Sequence, residues 1–143
     1  MKNTLTLALA MIFFSAANAQ KLAEKNVPVL VKASFKKQFP DVKKVVWEKE
    51  KANYEAEFEL NETEQSAVFN EKGGLIETEV EIEINQLPAN INTYIQKNYV
   101  GQKIKEAAKI IDANGKVSYE AEIKGMDLIF DEQGLFTKVS CAF

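Results

Sequence analysis

The sequence predicts an α+β fold of two tandem repeats, each a helix followed by four antiparallel strands, with the sheets joined and the helices on one face. The first observation behind this is internal repetition, because a pattern over residues 27–84 recurs over residues 87–139. Each copy carries Tyr-Glu-Ala-Glu, at 54–57 and at 119–122. The second observation is strict alternation of apolar and acidic residues, which is typical of strands with one buried face.

Each copy is expected to begin with a short amphipathic helix. Pro28 suits a first helical position, because a missing N–H is no loss there. Apolar residues then recur at three- and four-residue steps from Leu30 to Phe39, and Pro40 ends the pattern. The asparagines of the second copy are poor helix formers, so its helix is predicted mainly from the repeat. Its apolar stripe comprises Leu87, Ile91, Tyr94, Ile95 and Tyr99.

The rest of each copy predicts four strands joined by hairpin turns. Residues 54–60 alternate between apolar side chains and glutamates. Asn114-Gly115 is a strong turn signal, and so is Lys72-Gly73-Gly74. In order, the predicted strands cover residues 44–50, 54–60, 65–70 and 75–84, and then 104–112, 116–124, 126–131 and 135–141.

The first 19 residues are typical of a secretory signal peptide. Lys2 precedes an apolar run over residues 5–14, and Ala17-Asn18-Ala19 is a small-x-small cleavage site. The run is too short to span a membrane, which takes about 20 residues. We therefore expect a periplasmic or secreted protein without a membrane span, in which residues 20–143 form one domain of two repeats. Neither repeat is expected to fold alone, because so short a chain buries too little surface.

The composition argues against several functional classes. The chain has 18 basic residues, all lysines, against 21 acidic ones, and no histidine. Nucleic-acid binding calls for a basic face, so no nucleic-acid partner is expected. Histidine is the commonest general base and metal ligand, and no serine lies in a Gly-x-Ser-x-Gly elbow. We therefore predict that the protein is not an enzyme, and we predict no catalytic residue, cofactor or metal site.

Two further features have ordinary structural interpretations. Residues 112–116 resemble the start of a calcium loop, but the glycine comes two places too early, so a hairpin turn is predicted. Cys141 is the only cysteine, which rules out an intramolecular disulfide. Its apolar neighbours favour a buried thiol, and an intermolecular bond is the alternative. The chain is otherwise expected to be a monomer.

The motifs together resemble the PepSY-like family, also called the beta-lactamase-inhibitor-like family. The resemblance covers residues 27–139, although the second copy lacks the Pro-Asp and tryptophan of the first. It implies a small exported protein of the bacterial envelope that binds or inhibits another protein, and it supplies no catalytic residues. The matching motifs are Val27-Pro28, Phe39-Pro40-Asp41, Val45-x-Trp47, Tyr54-x-Ala56-x-Phe58 and the turn from Phe69 to Gly73.

The acidic side of the predicted sheet is the candidate binding surface. Its predicted centre is Glu55, Glu57, Glu77 and Glu79, which alternate with core residues and therefore share the face away from the helices. A charged face with scattered apolar side chains suits a basic protein partner. An ordinary solvated sheet face is the alternative reading of the same pattern.

Two functions follow as expectations. The first is a non-enzymatic binding module that binds or inhibits another envelope protein. The alternative is a periplasmic protein that binds a small molecule or a peptide, in a pocket between helix and sheet or between the two copies. Trp47, Tyr94 and Tyr99 are the aromatic residues that could line such a pocket, although core packing is the simpler role for them.

Overall fold

The computed structural model describes residues 20–140, which form two helices and nine strands. The predicted signal peptide, residues 1–19, and Cys141 lie outside the described residues. Short 3₁₀ turns at Glu24–Asn26 and Ile84–Gln86 precede the two helices. The elements are β1 Gln20–Leu22, α1 Val29–Gln38, β2 Val46–Glu50, β3 Asn53–Leu60, β4 Thr63–Phe69, β5 Leu75–Glu81, α2 Ala89–Asn98, β6 Glu106–Asp112, β7 Val117–Ile123, β8 Met126–Asp131 and β9 Phe136–Ser140.

All nine strands belong to one antiparallel sheet whose spatial order is the order of the chain. The two repeats are joined where β5 pairs with β6, so the predicted joined sheet is confirmed. Directly paired residues point to the same face of a sheet. Ala67 of the first core pairs with Thr78, which pairs with Ile111. Ile111 and Ala107 lie four residues apart on β6, so their side chains point to the same face of the sheet, and Ala107 belongs to the second core. Both cores, and the helices that pack on them, therefore lie on one face of the sheet, as predicted.

Each helix packs over a hydrophobic cluster of its own. In the first cluster the Phe35 ring lies 5.3 Å from the Trp47 ring and 5.2 Å from the Phe58 ring, between centroids. Trp47 is 3% exposed, so core packing, the simpler role expected of it, is confirmed. In the second cluster the Tyr94 ring stacks on Phe136 with centroids 4.9 Å apart. The copies therefore share a sheet, and the described residues form two separate cores beneath it.

The helix α1 differs from the predicted stripe at its first turn. Pro28 is the N-cap residue, and the helix begins at Val29. Val31 and Phe35, one turn apart, are the buried residues of this helix. Leu30 was expected in the same stripe and is 60% exposed, because successive helical residues are about 100° apart and only one flank of the stripe meets the sheet.

The strand β1 is absent from the sequence prediction, whose first strand begins at residue 44. Gln20, Lys21 and Leu22 pair with residues 49, 48 and 47 of β2. Three residues are too few to display an alternating pattern, so the pairing with the edge of β2 determines this strand. The predicted strands at 44–50, 75–84 and 104–112 begin or end two or three residues beyond the observed ones, whereas residues 126–131 match β8 at both ends.

The repeated Phe-Asn/Asp-Glu-x-Gly motif forms a tight turn in each copy. In the first turn, the Asn70 Oδ1 atom accepts hydrogen bonds from the backbone N–H groups of Lys72 and Gly74, at 3.0 and 2.9 Å. Asp131 plays the same part in the second turn. Asp112 likewise accepts two backbone hydrogen bonds within residues 112–116, which confirms the predicted hairpin turn there.

Candidate partner-binding face

The face of the sheet opposite the two helices carries the four predicted site residues. This surface is called the helix-free face below. Across the strands, Glu55 pairs with Val68, which pairs with Glu77. Glu57 and Glu79 pair in the same way with Ser66 between them. The structure therefore places all four glutamates in two adjacent cross-strand rows that run over β3, β4 and β5.

The second copy adds to this face acidic residues that the sequence reasoning did not select. Glu120 and Glu122 occupy the same places in the second Tyr-Glu-Ala-Glu motif as Glu55 and Glu57 in the first. Glu122 pairs with Glu106 on one side and with Asp127 on the other. The repeat itself was the signal that could have identified them, because equivalent positions of joined sheets share a face.

The centre of the helix-free face is more buried than an ordinary solvated sheet face. Glu48 and Glu55 are each 7% exposed, and Glu120 is 9% exposed. These low exposures differ from the ordinary solvated sheet face that was the alternative reading of the sequence. Apolar side chains on the same face contribute to the burial, since Ile129, the cross-strand partner of Glu120, is itself 8% exposed. The twist of a broad sheet also brings side chains of neighbouring strands together.

Burial raises the pKa of the central carboxyl groups, and removal from water is the largest cause for each. The pKa values of Glu55 and Glu57 are raised to about 7, and that of Glu120 to about 8. Burial holds the pKa of Glu79 well above its ordinary value, and repulsion by Glu120 and Glu55 adds to the effect. The pKa of Glu77 is raised in the same direction.

Among these five carboxyl groups, a hydrogen bond partly opposes the rise in pKa at Glu55. The Ser66 hydroxyl donates to the Glu55 carboxylate and lowers its pKa, although desolvation outweighs this bond. The Oε1 atom of Glu79 is shielded from solvent and has no hydrogen-bond partner within residues 20–140. A buried carboxylate without a donor is unfavourable, so this part of the face favours protonation or the approach of a cation.

Three carboxylates are close enough together to act as a set of metal ligands. One oxygen each from Glu48, Glu55 and Glu57 lies within 4.8 Å of the others. Carboxylate oxygens are the ligands preferred by Ca²⁺ and Mg²⁺. Adjacent acidic residues on paired strands produce this spacing by geometry alone, since Glu48 pairs directly with Glu55.

Lysines lie mainly away from the centre of this face. Lys49 pairs with Tyr54, and its Nζ lies 4.0 Å from the centre of the Tyr54 ring. It therefore belongs to the side that faces the helices. Lys138 pairs with Ile129 on the outermost strand, and it partly offsets the pKa shift of Glu77.

A cavity of about 310 Å³ lies at the junction between the two repeats. It is open to solvent and polar, and its lining includes Lys105, whose Nζ atom lies 3.5 Å from the Oε1 atom of Glu122. Trp47, Tyr94 and Tyr99 do not line this cavity. Trp47 lies in the first core, and Tyr94 and Tyr99 pack against the second, so core packing, the simpler role expected of them, is the one observed. The lining residues are Glu62, Thr63, Glu81, Ile82, Glu83, Ile84, Gln86, Lys105, Glu106 and Ala107.

Neither helix within residues 20–140 has the length and apolar character needed to cross a membrane.

Several solved structures have this fold at low sequence identity, and no curated protein matches the chain. A protein of Bacteroides eggerthii described as periplasmic aligns with a TM-score of 0.70 and 15% identity, covering 80% of this chain and 88% of its own. A DUF2874 family protein of Bacteroides ovatus aligns with a TM-score of 0.66 and 19% identity, and the alignment covers 78% of this chain and 85% of that protein. A BLIP-like protein of Bacteroides fragilis aligns with a TM-score of 0.61 and 20% identity, and the alignment covers 78% of this chain and 84% of that protein.

The family comparison gives two overlapping matches, over residues 15–77 and 53–138. Together they extend over nearly the whole chain, and two matches to one family model agree with the two repeats of the sheet. The chain therefore belongs to the PepSY-like family described as beta-lactamase-inhibitor-like.

Proposed function

We propose that the protein is an exported, non-enzymatic module that binds another envelope protein through its helix-free face. One observation carries the proposal: a cluster of partly buried carboxyl groups occupies the middle of a sheet face that neither described helix covers. Desolvated charge at the centre of a surface is costly unless a partner compensates it. The inhibitor-like description of the family supports a binding role, and inhibition of the partner is the finer form of the same proposal.

The dimensions of the face favour a protein over a small molecule. Nine strands at about 4.8 Å spacing give a surface roughly 38 Å wide, which is the scale of a protein–protein interface. The second candidate function, small-molecule binding, is supported by the cavity at the junction of the repeats. Its wall is polar and open, whereas small-molecule sites are mostly apolar and enclosed, so protein binding is the better supported of the two.

Capture from a periplasmic extract of the native host tests the proposal. The bait is the chain from residue 20, compared with a variant that carries Glu57→Lys and Glu77→Lys on the helix-free face. A control carries the same change of charge at Glu71 and Glu132, which are exposed turn residues. We expect one protein to be captured by the wild type and the control and lost with the face variant. Equal capture by all three would refute the proposal.

Export is part of the proposal and has its own test. We expect cleavage after Ala19, which leaves Gln20 as the first residue of the mature protein. The intact mass of protein recovered from the cell envelope decides this. A species that retains residues 1–19 would contradict the assignment of a cleaved signal.

A further inference from the structure

Glu79 lies on β5, the middle strand of the sheet, and one of its oxygens has no hydrogen-bond partner among residues 20–140. Part of the side chain stays at the surface, but Oε1 is shielded from solvent and receives no hydrogen bond from the described residues. The neighbouring positions in its cross-strand row are Ser66 on β4 and Ile110 on β6. The only hydroxyl among these neighbours, that of Ser66, is engaged with Glu55. The Oε1 atom of Glu79 therefore receives no donor from the residues described in its own sheet.

The charged groups that surround Glu79 are mainly acidic. Glu120, Glu55, Glu77 and Asp127 repel its charge, in decreasing order. By strand register, the charged residues of the helix-free face are Lys21 on β1, Glu48 and Glu50 on β2, Glu55, Glu57 and Glu59 on β3, Glu64 on β4, Glu77 and Glu81 beside Glu79 on β5, Glu106 and Asp112 on β6, Glu120 and Glu122 on β7, Asp127 and Asp131 on β8, and Lys138 on β9.

A chelated metal ion does not fit the surroundings of Glu79. Among the described residues, the carboxylates tight enough for a metal are Glu48, Glu55 and Glu57, and Glu79 is not among them. Glu57 and Glu79 are separated by a whole strand, which is about 9.6 Å between backbones. A long cationic side chain can reach down between such strands and donate to one carboxylate while lying near the others.

We infer that Glu79, with Glu120 and Glu55 beside it, receives a lysine or arginine side chain of the bound protein. This assignment rests on the proposed function and specifies the chemistry of its partner. The cationic group supplies the hydrogen-bond donor that Glu79 lacks, and it offsets the repulsion among the neighbouring carboxylates.

Binding of a cation to these carboxyl groups must be linked to protons. Burial raises the pKa of Glu120 to about 8 and that of Glu55 to about 7, so the free face holds protons at pH 6. A cation favours the ionised form, and its binding therefore releases those protons. The affinity should rise with pH between about 6 and 8, whereas lysine itself, with a pKa of about 10.4, stays charged throughout.

Calorimetric titration with a synthetic hexalysine peptide tests the assignment at low ionic strength. Titrations in two buffers of different ionisation enthalpy measure the protons released. We expect binding at least about tenfold tighter at pH 8 than at pH 6, since one titrating group changes affinity up to tenfold per pH unit. Glu79→Gln should weaken binding at pH 8 by about tenfold or more. Glu71→Gln, in an exposed turn, should leave both affinity and proton release unchanged.

Two results would overturn the assignment. The first is binding of hexalysine by Glu79→Gln as tight as that of the wild type, in protein shown by circular dichroism to be folded. The second is a calcium chloride titration that releases the same protons and blocks the peptide, which would make the site a metal site. If Glu79→Gln fails to fold, Glu120→Gln takes its place. A native partner whose capture depends on Glu57 and Glu77 but is indifferent to Glu79→Gln would refute this assignment and leave the proposed function standing.

Discussion

The rings of Phe35 and Trp47 meet edge to face, with centroids 5.3 Å apart and planes at 69°. This contact joins helix α1 to strand β2, near the β1 edge of the sheet. Trp47→Ala should lower the free energy of unfolding by about 3–5 kcal/mol, because it removes a buried aromatic side chain and leaves a cavity. Urea denaturation followed by circular dichroism measures the loss.

Trp47→Phe is the matched control for that substitution. The indole N–H of Trp47 is buried and has no acceptor within residues 20–140. Phenylalanine keeps an aromatic ring and removes this unsatisfied donor, so the cost should be well below that of alanine. Equal losses for the two variants would show that the ring contact with Phe35 contributes little.

Gly73 is required by the packing of α1 on the turn between β4 and β5. Its φ angle is 79°, and a Cβ atom there would lie 2.7 Å from both the Leu30 carbonyl oxygen and the Ser34 Oγ atom. Gly115 also has a positive φ, of 81°, but open space around it. Gly115→Ala should cost about 1–2 kcal/mol from backbone strain alone, and Gly73→Ala should cost clearly more. Equal melting temperatures for the two variants would contradict this packing.

A fragment of residues 20–85 should unfold broadly and at low temperature. It contains the whole first core, but it exposes the β5 edge that pairs with β6 in the full chain. So short a chain is marginal by surface-to-volume scaling, and a bare edge favours association. Calorimetry of the fragment beside the chain from residue 20 makes the comparison. A sharp transition of the fragment near that of the full chain would mean that each repeat is an independent domain.

The buried carboxyl groups predict how stability depends on pH. Glu55 and Glu120 have pKa values raised in the folded state from 4.5 to about 7 and 8. The folded chain therefore holds protons that the unfolded chain releases above about pH 4.5. The stability that this protonation contributes is present at low pH and is lost as pH rises through 7 and 8. We expect Tm to fall between pH 5.5 and 8.5, and we expect Glu120→Gln to flatten that fall. A rising Tm would contradict the burial of this cluster.

Alternation in the sequence was sufficient to predict most of the sheet. Tyr54 to Leu60 identified β3 and separated its helix side from its acidic side. The repeat then extended the same reasoning to β7, and the extra residues predicted at strand ends reflect the weak signal where alternation fades. β1 could not be predicted in this way, because the three residues paired with β2 show no period of their own.

The four candidate site residues share a face because alternate residues of a strand point to the same side of the sheet. This alternation does not determine how deeply each side chain is buried. Glu55 is 7% exposed because of side chains on neighbouring strands, which depend on register and on sheet twist. The unpartnered oxygen of Glu79 has the same origin. A similar limit applies to the helices. Apolar residues at three- and four-residue steps predict the apolar stripe of α1 but not which side of that stripe contacts the sheet, and Leu30, a member of the stripe, is exposed.

Photo-crosslinking in living cells of the native host tests most directly whether the helix-free face binds the partner. A benzoylphenylalanine residue replaces Glu57 or Glu77 on that face, and in matched controls it replaces Lys36 on α1 or Lys97 on α2. All four variants should first be shown to melt as cooperatively as the wild type. If the helix-free face binds the partner, positions 57 and 77 should yield one protein adduct of defined mass, and positions 36 and 97 should yield none. An adduct formed only from the helix positions would contradict it.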